Sequence, residues 1–75
     1  MLTRIELKRF IEERLGDIAS PIFMKRALTV FEESPDDKSS LASAVDKVSK
    51  MVELFIDKKL ARELSESLLD KVHKN

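Results

Sequence analysis

Apolar residues recur along this chain at helical spacing, and nowhere do they alternate with polar ones in the period of two that marks a strand. The densest stretch covers residues 15–33. Of the fourteen residues 18–31, nine are apolar. At about 100° per residue, Ala19, Phe23, Met24, Ala27, Leu28, Val30 and Phe31 spread over roughly half a helix circumference. A surface helix shows a narrower stripe. This helix must therefore be covered from two sides or keep part of its face for a partner.

Before it, Thr3 is predicted to open a first helix. Its hydroxyl and Glu6 form a reciprocal capping box, with Leu2 and Leu7 as the hydrophobic staple. Leu7, Phe10, Ile11 and Leu15 share the inner face, while Lys8/Glu12 and Arg9/Glu13 form solvated i,i+4 pairs. Gly16 follows as the left-handed residue that ends the helix, with a positive φ. The second helix is capped by Asp17 or by Ser20. A turn through residues 17–19 that tightens into the helix at Pro21 is favoured, since a missing N–H costs nothing at the first helical position. Glu32-Glu33 close the apolar run. The segment Ser34-Pro35-Asp36-Asp37-Lys38 is then a loop, or Ser34 caps a helix that contains Pro35.

Further along, Leu41, Ala44, Val45, Val48, Met51, Val52, Phe55 and Ile56 fall within roughly 140° of one another. On a continuous helix, Leu60, Leu64, Leu68 and Val72 would point to the opposite side. One straight helix would then have two faces to bury. A break at residues 56–58, with Asp57 capping a fourth helix, turns both faces to one core. The expected fold is all-α: one domain over residues 1–75, built as a compact four-helix bundle with short loops.

Composition narrows the partners and the chemistry. Seventy-five residues give a marginal core. With no cysteine there is neither disulfide nor thiolate metal site, which fits a reducing compartment. Phe10, Phe23, Phe31 and Phe55 are the only large aromatic plates available to that core. Fourteen basic and fourteen acidic residues cancel, and the longest basic runs are pairs: Lys8-Arg9, Lys25-Arg26 and Lys58-Lys59. Nucleic-acid binding needs clustered cations, so no such partner is expected. Neither a secretory leader nor an apolar run near the ~18 residues of a membrane span is present, so no membrane partner and a cytoplasmic location are expected.

No catalytic, cofactor-binding or metal-binding residue is predicted. His73 is the sole histidine and reads as a cation at a helix C-terminus. The pairs Glu12-Glu13 and Glu32-Glu33 diverge by about 100° on a helix. Asp36-Asp37 lacks the alternating ligands of a calcium loop. Ser40-Leu41 matches part of the Asp-Ser-Leu motif of acyl and peptidyl carrier proteins, which the chain loosely resembles. That resemblance implies a prosthetic arm on Ser40, although Ser39 stands in place of the aspartate. A helix-cap role for Ser39 or Ser40 is the preferred reading.

Gly16-Asp17-Ile18-Ala19, then Ile22 and Arg26-Ala27, resembles the Gly-Pro-Ile-Ala…Arg-Ala signature of small helical modules in bacterial serine/threonine kinases and other signalling proteins. Asp17 replaces the usual proline. The resemblance implies a regulatory accessory module without catalytic residues. The residues point the same way: Ile5, Ile18, Ile22, Leu54 and Leu69 lie off their helices' inner stripes. Ile18 and Ile22 sit one turn apart beside Arg26. These three are the predicted interaction residues, for self-association or for a protein partner, with a core role for the two isoleucines left open.

Overall fold

In the computed structural model, which describes residues 4–74, the chain forms α1 (Arg4–Leu15), α2 (Pro21–Glu33), α3 (Lys38–Phe55) and α4 (Lys58–His73). The last three each begin behind a side chain that accepts an orphan amide of the first turn. Ser20 accepts from the Phe23 amide at 3.2 Å, Asp37 from Ser40 at 2.9 Å and Asp57 from Leu60 at 2.9 Å. Pro21 occupies the first turn of α2, and residues 16–19 form the turn before it. The start of α3 corrects the expectation at Ser39 and Ser40. Asp37 is its cap, and the Ser40 hydroxyl donates to the second oxygen of the same carboxylate at 3.0 Å. The capping box and staple predicted for α1 rest on Thr3 and Leu2, outside the described residues.

Short connections force antiparallel neighbours. Residues 56 and 57 alone join α3 to α4, and the Ile56 and Asp57 amides both donate to the Val52 carbonyl, at 2.9 and 3.0 Å. The two apolar faces that pointed apart along the sequence now share one core. Leu41, Ala44, Val45, Val48 and Val52 meet Ala61, Leu64, Leu68 and Val72, all buried. α3 and α4 form the most extensive pair, and α2 packs against α1 on one side and α3 on the other. Its buried residues are Phe23, Ala27 and Phe31; those of α1 are Leu7, Ile11 and Leu15. A radius of gyration of 11.0 Å is that of a compact chain of this length. The four-helix bundle is thus the fold of the described residues.

Three expectations are corrected. Gly16 has no positive φ. The helical path runs on past Leu15: the Gly16 amide donates to the Glu12 carbonyl at 2.9 Å, and Ile18 and Ala19 both donate to Leu15. What demands glycine is space, because a Cβ there would lie 2.5 Å from the Glu12 carbonyl oxygen. Lys8 does not turn to Glu12. It bridges to Glu32 of α2 at 2.7 Å, since a neighbouring helix offers a carboxylate within reach. Arg4 reinforces that junction by donating to the Glu32 and Ser34 carbonyls at 3.1 and 2.9 Å, where α2 ends, and its amide donates to Asp36. Finally, Phe55 is not core: it is 73% exposed. It lies on the inner stripe but at the last turn of α3, level with the first turn of α2, where no further element covers it.

Two predictions follow from these contacts. Gly16→Ala should destabilise by about 1–2 kcal/mol in chemical denaturation, because the obstructing atom is backbone and cannot swing aside. Lys8 holds the Glu32 carboxyl below its ordinary value of 4.5, chiefly through the hydrogen bond and then through its charge. A carboxylate with a lowered folded-state pKa stabilises above that ordinary value and loses the effect as pH falls through the folded value. Melting temperature should therefore differ between the parent chain and Glu32→Gln at pH 7, by a small amount for an exposed pair, and converge as pH falls below the lowered folded-state value.

Candidate functional site

Phe55 marks a broad apolar concavity. Between the start of α2 and the end of α3 lies an open groove of ≈ 650 Å³. Ile18, Ala19 and Ser20 line it from the turn, Ile22, Phe23, Arg26 and Val30 from α2, and Met51, Phe55 and Ile56 from the end of α3. All three residues predicted from the sequence, Ile18, Ile22 and Arg26, border this one groove. The isoleucines are 56% and 72% exposed, which removes the core alternative for both.

The groove has a buried floor and an exposed rim. Phe23, only 9% exposed, anchors the floor, and the Phe55 ring meets it edge-on with centroids 6.3 Å apart at 67°. Such an edge-to-face contact fixes the orientation of a ring that is otherwise bare. Ile22 and Arg26, one turn apart on α2, stand on the same flank, and Ser20 with Pro21 sets the phase of that helix at its first residue. Arg26 makes no hydrogen bond or ion pair among the described residues, and neither does Asp17 in the preceding turn. The rim thus carries an uncompensated guanidinium, and the exposed carboxylate of Asp17 directly precedes the rim residue Ile18 in the chain.

Toward the other end of the α2–α3 seam the lining turns polar. A second cleft of ≈ 390 Å³ shares Val30 with the groove and is bounded by Thr29, Glu33, Ser40, Ser43 and Lys47 among others. Ser40 is half-buried there with its hydroxyl engaged by Asp37, so an arm attached at this oxygen would displace that bond. His73 is exposed in the last turn of α4. Among the described residues, no three histidine or carboxylate side chains converge as a metal ligand set, and no helix is long and apolar enough to cross a membrane.

Other off-stripe residues separate into two groups. Ile5 and Leu54 are exposed at 61% and 78%, whereas Leu69 packs against the core. Sequence reasoning missed Phe23, Met51, Phe55 and Ile56 as groove residues, because they belong to inner stripes. The overlooked signal is the antiparallel register, which puts the last turn of one helix beside the first turn of the other. No protein-family model, curated protein or solved structure matches the chain.

Because Ile22 is bare and sits in the first turn of α2, Ile22→Asp should leave thermal stability within about 0.5 kcal/mol, the new charge lying near the positive end of the helix dipole. Phe23→Ala, one residue on, should cost about 3–5 kcal/mol. Equal losses at the two positions would show that the groove wall is part of the core.

Proposed function

We propose that this chain is a non-catalytic helical interaction module, regulatory in role, whose docking surface is the groove between α2 and α3. One observation carries the reading. Ile18, Ile22 and Phe55 are each more than half exposed around a single apolar concavity, beside a guanidinium without a partner. Scattered apolar residues on a surface are ordinary. Several gathered on the rim of a groove with a buried aromatic floor form the kind of patch that marks a binding site. The resemblance of residues 16–27 to bacterial signalling modules supports a regulatory role in that setting, with a protein as the partner.

Replacing Phe55 by a photo-crosslinking amino acid tests this in the expressing cell, with the same replacement at exposed Glu63 of α4 as the control. Position 55 should give a discrete protein adduct that Ile22→Asp abolishes and that position 63 does not give. An adduct indifferent to Ile22→Asp, or none at all, would remove the groove from consideration as a docking site.

A further inference from the structure

Resting on that reading, we infer that the groove's occupant is a second copy of this chain, docked across a two-fold axis at Ile22. A two-fold contact requires one surface to be complementary to itself, and this surface has the parts. It carries projections, Ile22 and Phe55, at 72% and 73% exposure, and beside them the ≈ 650 Å³ concavity that such side chains fill. Projection and concavity lie on the same face. One copy can therefore present its projections to the other's groove and receive them in return.

Charge makes the arrangement specific. Ile18, Ile22 and Arg26 succeed one another along one wall of the groove, with Asp17 adjoining Ile18. An axis through Ile22 reverses that row. Arg26 of each copy then faces the other copy's Ile18 and the adjacent Asp17. Arg26 and Asp17 are opposite in sign and both unpartnered within the chain. The axis forms the same ion pair twice at the rim of an apolar contact, where pairing sets register and orientation. The zero net charge of the chain removes overall repulsion between copies. An acidic amphipathic helix from another protein is less well matched. It would gain Arg26 and Lys47 but would meet Glu33 at the polar end of the seam and, at the other, Ile18, whose neighbour in the chain is Asp17.

Sedimentation equilibrium of the full chain up to about 1 mM should show a reversible monomer–dimer equilibrium, weak because the contact is small. Arg26→Glu and Asp17→Arg should each weaken it about tenfold or more, since each sets like charges opposite one another twice. An equimolar mixture of the two variants should recover the parent affinity, because opposite charges face each other at both sites of the mixed dimer. Circular dichroism should show both variants folded, neither residue having a partner to lose. A parent chain that stays monomeric at about 1 mM, or a mixture that does not recover, overturns the inference. If the Ile22-dependent adduct at position 55 is then another protein, the interaction reading stands and only the occupant is wrong; if no such adduct forms, both fall.

Discussion

The hydrogen bond from the Leu60 amide to the Asp57 carboxylate, 2.9 Å long, sits at the point on which this structure turns. It starts α4 two residues after α3 has ended, while the Val52 carbonyl takes the two amides of the break. Without that stop the apolar faces of residues 41–56 and 60–72 would point to opposite sides of one rod. With it they close on one core, in which nine of their side chains are buried. The same stop ends α3 at Phe55, level with Pro21, and so leaves the aromatic ring beside the first turn of α2 with nothing beyond it. Core and groove are two results of one helix terminus.

A chain this short has little surplus burial to hold its ends. Polar contacts hold one of them. Arg4 and Lys8, on successive turns of α1, reach the end of α2 and the loop after it through the Glu32 and Ser34 carbonyls and the Glu32 carboxylate. Cationic donors at a helix C-terminus satisfy carbonyls that have no amide partner. No such clasp spans the opposite end of α2, where the only cation on the groove wall, Arg26, makes no hydrogen bond or ion pair within the described residues. The bundle is tied where α2 ends and open where it begins.

What was legible in the sequence was angular. Period and phase located the four helices, placed the break before Asp57 and separated Ile18, Ile22 and Arg26 from the inner stripe of α2. The Asp57 cap was equally plain because its chemistry is local, whereas at the start of α2 Asp17 and Ser20 both fitted and the structure selects Ser20. Axial position was not legible. Phe55 has the angle of a core residue and loses its burial only because α2 begins where α3 ends. Lys8 has Glu12 one turn away and bridges instead to Glu32, whose proximity depends on the packing of two helices. At Gly16 the sequence pointed to a helix stop with a left-handed residue. The chain instead continues one more turn, and glycine is required by the closeness of the Glu12 carbonyl. Each miss concerns distance between elements, which periodicity does not encode.

These two kinds of information also explain why a groove and a core can be built from one helix without conflict. The apolar arc of α2 spans about half its circumference. α1 and α3 flank it, burying Phe23, Ala27 and Phe31 completely or nearly so. Ile22 and Arg26 occupy the margin of that arc and are exposed. Substitution on this margin is therefore separable from substitution on the arc, although adjacent residues are involved. The floor of the groove belongs to the core, and its rim is exposed. The charge at Arg26, exposed and without a hydrogen bond or ion pair among the described residues, can therefore change without disturbing the helix that carries it.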